Sequence, residues 1–207
     1  MKTFNPNLAK IIFFISVLIS TNSYAVLIQS QPGGGDWSNG GTWIGGTPPS
    51  PTDDVEINGL VSLDLNTSSN NITINVTGTL QNKNNTNRTL TVNGNITNHG
   101  LIRDNYYNLT LNISGTIVNN GQWTNSHTNL TGNSNQYLTF NQPFTGEYFT
   151  SNMDVVGFAT GTNALRFIGT VIDFNGDSLY MSAGYDSIFV NGGYLQEMTI
   201  LAGGPME

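Results

Sequence analysis

Cysteine is absent from the 207-residue chain, and charge is scarce: Asp, Glu, Lys and Arg make up only 9 % of it, against about 25 % in an average soluble domain. Without thiols there are no disulfides, no thiolate nucleophile and no lipid attachment through an N-terminal thioether. Histidine occurs twice, and Lys and Arg total six against 13 Asp and Glu. A surface so poor in cations is a bad match for nucleic acid, which requires clustered Lys and Arg. What is present instead is 30 Asn, 25 Thr and 24 Gly. Asn and Gly disfavour helix interiors, whereas Thr suits a pleated strand and Asn-Gly suits the turns between strands, so helix bundles are excluded. Regularly spaced Val, Ile and Leu with 10 % aromatics supply a core, which argues against disorder.

The first 25 residues read as an export signal. Lys2 and Lys10 are positive, Ile11 to Ser20 is an uncharged apolar run, and Ser23-Tyr24-Ala25 ends in the small-x-small pattern of a signal peptidase site. The apolar run is about half the roughly 20 residues a bilayer-spanning helix needs, so no integral span is expected after cleavage. Removal leaves Lys83, Arg88, Arg103 and Arg166 against 13 acids, a net charge near −9. The chain is expected to be secreted or held at a bacterial cell surface, where stability without disulfides has to come from regular backbone pairing and a continuous core.

Beyond the signal a nine-residue pattern recurs, apolar-x-apolar-x-Gly-x-apolar-x-polar. Its copies centre on Gly59, Gly78, Gly94, Gly115, Gly169 and Gly192, with a degenerate copy around Gln142 between Phe140 and Phe144. Apolar residues at every second position are strand periodicity, and the glycine, in phase with them, suits a corner where two backbones crowd. A meander of hairpins also alternates. The constant polarity of the pattern and its separations of 16 to 27 residues favour a parallel solenoid, one copy lying over the next at about 4.8 Å. The expected architecture is all-β: a single right-handed parallel β-helix of about seven coils over 55–207, preceded by a cap over 26–54. On that register Val76, Val92 and Ile113 should stack, and so should Leu80, Ile96 and Ile117. Asn82, Asn98 and Asn119 end their copies in equivalent slots, where they can bond to one another as an amide ladder or each serve its own turn; Asp173 in the same slot should reach solvent or a backbone N–H.

Ahead of the first copy stand Trp37, Thr42-Trp43-Ile44-Gly45-Gly46, Pro49, Asp53-Asp54-Val55-Glu56-Ile57 and Val61-Ser62-Leu63-Asp64. This stretch resembles the start of exported β-helix surface proteins of Bacteroidetes-like bacteria. It is also similar to the start of the eight-glycine domain of animal cell-surface proteins linked to hyaluronan turnover. Strings such as Leu90-Thr91-Val92-Asn93-Gly94 are similar to repeats of large bacterial adhesins, largely through composition. The resemblance implies a right-handed parallel β-helix and export, but no single activity. Physically the motif reads as a cap over strand edges that would otherwise template aggregation; the functional alternative makes Trp37 and Trp43 a sugar-stacking platform.

Catalytic parts are missing. There is no G-x-S-x-G elbow, and His99 and His127 are expected in Asn/Gly-rich turns after repeat strands, without local carboxylate or thiolate partners. Asp53, Asp54 and Glu56 cluster within the cap motif. Asp173 and Asp177 bracket Phe174-Asn175-Gly176 at a spacing that suits a cation, without meeting a calcium-loop consensus. Arg103 and Arg166 are isolated, so no acid–base pair forms around them. No catalytic, cofactor-binding or metal-ligating residue is assigned. The chain stops at Leu201-Ala202-Gly203-Gly204-Pro205-Met206-Glu207 directly after a strand pattern, which reads as the front of a longer rod. The leading expectation is an exported, non-catalytic solenoid that serves as an adhesive or structural rod, with surface glycans or other cell-surface proteins as partners. The alternative is a carbohydrate-binding or carbohydrate-cleaving β-helix protein, or a fragment of one, with Tyr106-Tyr107 and Trp123 as candidate stacking aromatics. Mass spectrometry of exported protein should find Val26 at the N-terminus; an intact Met1 on a membrane-embedded chain would contradict the signal.

Overall fold

Short runs of alternating apolar residues form three- to five-residue strands, and in the computed structural model each pairs parallel and in register with the strand one turn away. The structure describes residues 25–83, 86–133, 136–151, 155–158, 164–181, 187–196 and 199–202. The signal segment before Ala25 and the tail from Gly203 onward lie outside the described residues. The chain is an all-β parallel β-solenoid, whose one helical element among the described residues is the 3-10 turn Gly40–Thr42.

The path visits three sides in rotation. Side I is a nine-stranded sheet that includes Asp54–Ile57, Ile72–Ile74, Ile96–Asn98, Ile117–Asn119 and Gln136–Phe140. Side II is a five-stranded sheet that includes Leu60–Leu63, Thr79–Asn82, Leu101–Arg103 and Gln122–Thr124. It is prolonged by Phe144, which bridges Phe167 in the strand pair Ala164–Ile168 and Ser187–Asn191. Side III is a seven-stranded sheet that includes Thr67–Ser69, Arg88–Val92, Leu109–Ile113, His127–Leu130, Tyr148–Ser151, Val171–Asp173 and Tyr194–Gln196.

Side chains that point inward stack in columns. Val55, Ile72, Ile96, Ile117 and Leu138 form one on side I, Val61, Leu80, Ile102 and Trp123 one on side II, and Leu90, Leu111, Thr128, Phe149 and Ile172 one on side III. All are buried. The core changes character along the axis: aliphatic in the turns that follow the buried Trp37 and Trp43, it becomes an aromatic cluster of Phe140, Phe144, Phe149 and Phe167, with ring centroids 5.1 to 6.1 Å apart. Bulky rings occupy the same cross-section with fewer side chains, and their edge-to-face geometry adds to the burial.

Two of the expected stacks change. Val92 pairs with Ile113 and Ile96 with Ile117, as the shared phase demands. Val76, however, is 80 % exposed between sides I and II, and Leu80 stacks on side II with Val61 and Ile102. The reason is that the nine-residue pattern marks a corner, and all three corners use it. Gly59 and Gly78 turn the chain from side I to side II, Gly94 and Gly115 from III to I, and Gly169 and Gly192 from II to III. Copies therefore do not count turns. The I-to-II corner also holds Gly100 and Gly121, whose flanking inward positions are filled by Asn98 and Asn119 in place of apolar residues.

Those asparagines satisfy both readings of the amide slot. Asn98 Nδ2 donates to Asn119 Oδ1 at 2.9 Å and to the Gln122 carbonyl at 2.9 Å, while Asn98 Oδ1 accepts from Gly100 N at 3.0 Å. Asn82 is not in that ladder: it stacks on Leu63 on side II and closes a loop, accepting from Asn105 N at 2.7 Å. Asp173 accepts the Asn175 N–H at 2.9 Å.

Trp37 and Trp43 are each 1 % exposed, meet edge to face at 5.0 Å, and are joined by Trp43 Nε1 donating to the Trp37 carbonyl at 2.7 Å. Within the same segment Leu27–Gln29 already pairs with side I and Gly35–Asp36 with side II, so the first turn is laid down before Asp54.

The corners give a sharp stability test. A Cβ at Gly100 would lie 2.3 Å from the Gly78 carbonyl oxygen and 2.4 Å from that of Asn75, whereas one at Gly33 meets nothing within 4 Å. Gly100→Ala should cost about 1–3 kcal/mol from overpacking, and Gly33→Ala should stay within about 0.5 kcal/mol. Urea midpoints of the two variants check this.

Candidate functional site

The I-to-II corner carries a concave feature of the surface. Because Gly78, Gly100 and Gly121 follow one another there without side chains, a groove of about 390 Å³ runs along the axis, lined by Val76, His99, Leu101, Asn120, Gln122 and Gln142. One wall is a hydrogen-bonded ladder: Asn141 Nδ2 donates to Asn120 Oδ1 at 2.5 Å, and Asn120 Nδ2 lies 3.3 Å from His99 Nδ1. No carboxylate or cation lines the groove. His99 is therefore a rung of an amide ladder with no acid or nucleophile beside it in the groove.

A second exposed feature is the tip Tyr106-Tyr107, on the loop that joins Leu101–Arg103 to Leu109–Ile113. Asp104 anchors the loop, its Oδ1 accepting from Leu109 N at 2.7 Å and Ser126 N at 3.1 Å and its Oδ2 from Ser126 Oγ at 2.5 Å. Tyr106 is 91 % exposed and Tyr107 45 %. The third stacking candidate, Trp123, is wholly buried and donates Nε1 to Asn125 Oδ1 at 2.7 Å, so it belongs to the core. The burial of Trp37 and Trp43 likewise leaves them no free ring face for a sugar.

The acidic cluster at the first turn consists of turn fasteners. Asp53 Oδ2 accepts Ser50 N at 2.8 Å and its Oδ1 accepts Val26 N at 3.3 Å. Asp54 Oδ1 accepts from Asn70 Nδ2 and Asn71 Nδ2, each at 2.8 Å, and from Asn71 N at 3.1 Å. Glu56 takes one amide from each adjacent turn, Gln29 Nε2 at 2.7 Å and Asn75 Nδ2 at 2.5 Å. Carboxylates this occupied are committed to the backbone and to neighbouring amides.

His127 differs from its sequence reading in placement. It opens the strand His127–Leu130 instead of lying in a turn, and its ring stacks on Tyr148 at 4.8 Å and 11°. The column Thr89, Thr110, His127, Tyr148, Val171, Tyr194 runs down the outer face of side III. Rings stacked along the axis present edges to solvent, which makes this pair a ladder step and a poor sugar platform. Asp173 and Asp177 flank the turn at Asn175 and Gly176, where Asn175 (φ 51°) and Gly176 (φ 91°) reverse the chain. Among the described residues no group of three His, Asp or Glu side chains converges as a metal site would require. Arg103 Nε donates to Gln81 Oε1 at 3.0 Å and Gln81 Nε2 to Ser62 Oγ at 3.0 Å, a ladder on the outer face of side II. The Arg166 side chain lies outside the described residues.

No family model, curated protein or solved structure matches this chain. The site must accordingly be judged on its own geometry, which offers a neutral groove and a rigid aromatic tip. Sequence reading could name Tyr106 and Tyr107 from their type, but not the groove. Gly100 and Gly121 follow buried asparagines, and that conceals their kinship with the other corner glycines.

Asp53 and Asp64 respond to acid in a defined direction. Burial raises the Asp53 carboxyl, but the Ser50 hydroxyl and N–H and the Val26 N–H outweigh it and hold the group below the usual aspartate value. Asp64 follows the same balance: burial raises it, while Ser38 through its hydroxyl and N–H, its own N–H and the charge of Lys83 lower it further. Depressed folded-state values mean that stability is fully present above the unfolded carboxyl value and is lost as pH falls through the folded one. Asp53→Asn should lower stability at neutral pH by about 1 kcal/mol and make the acid limb of the stability profile shallower. Urea midpoints at about pH 7 and pH 3 measure both effects.

Proposed function

We propose that the chain is exported through a cleaved signal peptide and acts at a bacterial surface, or beyond it, as a non-catalytic rod with a structural or adhesive role. The observation that carries this reading is the occupation of its polar side chains. Asn98–Asn119 inside the core, and Asn112–Asn129–Thr150, His99–Asn120–Asn141 and Ser62–Gln81–Arg103 outside it, bond from one turn to the next. Groups used this way stiffen the axis and are poorly placed to bind, activate and release a substrate. The signal pattern, the charge near −9 and the resemblance to exported β-helix surface proteins support the same reading. Its partners are surface glycans or other cell-surface proteins.

A second reading, a carbohydrate-binding module, is favoured by one observation: Tyr106 and Tyr107 are exposed on an anchored loop. Polysaccharide cleavage belongs to that class and is tested directly. Incubating the mature chain with a panel of polysaccharides should release no reducing ends, with Asp53→Asn as the matched variant. Robust turnover by the parent, lost in a variant of unchanged melting temperature, would overturn the non-catalytic reading and turn the first-turn carboxylates into catalysts.

A further inference from the structure

We propose that Tyr106 and Tyr107, together with Arg103, form a subsite that docks a chain of neutral sugars; the proposal rests on the carbohydrate-binding reading and gives it a place. Tyr106 stands at a backbone position to which a tyrosine is poorly suited. Among the described residues only Tyr106 (φ 64°) and Asn175 (φ 51°) hold a positive φ without being glycine. Asn tolerates the left-handed region because its short amide bonds locally, whereas a bulky side chain is penalised there. Burial does not offset the strain, because Tyr106 is 91 % exposed. Its side chain makes no hydrogen bond or ring contact with another described residue. Gly or Asn at this position would serve the turn better, so stability does not account for a tyrosine here, and residues of that kind gather at binding sites.

The tip is also held still. Asp104 binds Leu109 N and both the N–H and hydroxyl of Ser126; Asn105 N donates to Asn82 Oδ1 at 2.7 Å; Asn108 N donates to Asn87 Oδ1 at 3.0 Å. Two phenol rings are therefore displayed on a loop pinned on both flanks, so little ordering entropy remains to oppose binding. Sugar rings present C–H faces that pack on aromatic faces and hydroxyls that need polar partners. Exposed Arg103 lies three residues before Tyr106, within about 10 Å along the chain. With its Nε on Gln81 and its side chain exposed, its terminal amino groups can reach ligand hydroxyls. Exposed Asn87 and Asn108 add amide donors and acceptors beside the tip. A mature chain of charge near −9 repels polyanions, which selects neutral glycans over uronates.

Affinity electrophoresis of the mature chain through gels that contain a neutral β-glucan, xylan or polygalacturonate tests the proposal, with melting temperatures measured in parallel. The parent should be retarded by a neutral polysaccharide and not by polygalacturonate. Tyr106→Gly and Tyr107→Ala should each weaken that retardation about tenfold, and Tyr194→Ala, an exposed tyrosine elsewhere, should not. Tyr106→Gly should hold or raise the melting temperature while binding falls, a combination that a structural role for the ring would not produce. Tyr106→Asn repeats the test with a side chain suited to the same backbone. Retention of neutral-glycan binding in both tyrosine variants would overturn the subsite while leaving the carbohydrate reading in place. Failure of the parent to bind any polysaccharide would overturn that reading itself and return the tip to the protein-partner class. A preference for polygalacturonate would overturn the neutral specificity.

Discussion

Each turn of the chain has to lie about 4.8 Å over the one before it, and nearly every feature of the molecule follows from that repeat. Strands meet the condition easily, since parallel hydrogen bonding imposes it. Corners do not, because the chain must change direction while its carbonyls bond to the next turn. Leu101 N donates to the Gly78 carbonyl at 3.1 Å and Gln122 N to the Gly100 carbonyl at 2.8 Å, so successive corner backbones touch with no room for a β-carbon. Glycine at these positions is thus a packing requirement. The groove along the same corner is its by-product.

The buried amides answer a second requirement. A corner leaves N–H and C=O groups off the strand ladders, and an unpaired buried polar group costs about 1–3 kcal/mol. Asn98 meets the need three times, pairing with the Gly100 N–H, the Gln122 carbonyl and the next amide in the column. Asn125 does comparable work at another corner, where it accepts from Trp123 Nε1 and donates to the Leu109 and His127 carbonyls. An apolar residue in either slot would fill the space and strand those partners.

This explains how far the sequence could be read. Alternation around glycine specifies strands, a shared face and parallel stacking, and the pairings Val92–Ile113 and Ile96–Ile117 follow directly. It does not specify which corner a given glycine turns, because all three corners carry the same alternation for different reasons: crowding excludes a β-carbon at Gly78 and Gly94, whereas a positive φ calls for glycine at Gly169 and Gly192. Turn length adds to the ambiguity: the partners Val55–Ile72, Ile72–Ile96 and Ile96–Ile117 are separated by 17, 24 and 21 residues. The gap of 16 between Gly78 and Gly94 was the one hint that these belong to different corners, since it is shorter than any of those turns. The candidate site was legible in its residue types only. Tyr106 is visible as an aromatic in a polar stretch, but its positive φ is set by Asp104 and Asn105 gripping neighbouring turns, a constraint held between turns and not within any short motif.

The same repeat accounts for the scarcity of charge. In a solenoid a side chain on an outer face has its nearest neighbours directly above and below, and two like charges 4.8 Å apart repel by about 0.9 kcal/mol even at the dielectric of water. A column of them would oppose every added turn, whereas a column of amides and hydroxyls gains a hydrogen bond at each step. The described strand pairs respect this. Glu56 stands between Gln29 and Thr73, Arg103 between Gln81 and Thr124, Asp173 between Thr150 and Gln196, and no charged residue is paired with another. Asn, Gln and Thr are the residues that can repeat in register without repulsion. The neutral polar surface is therefore a condition of growing such a rod, and solubility is left to the few isolated acids. A ligand for this surface has to be recognised where the ladders are interrupted, and the Tyr106-Tyr107 tip is such a place: it projects from a loop between strands, and the Tyr106 side chain has no hydrogen-bond or ring partner among the described residues.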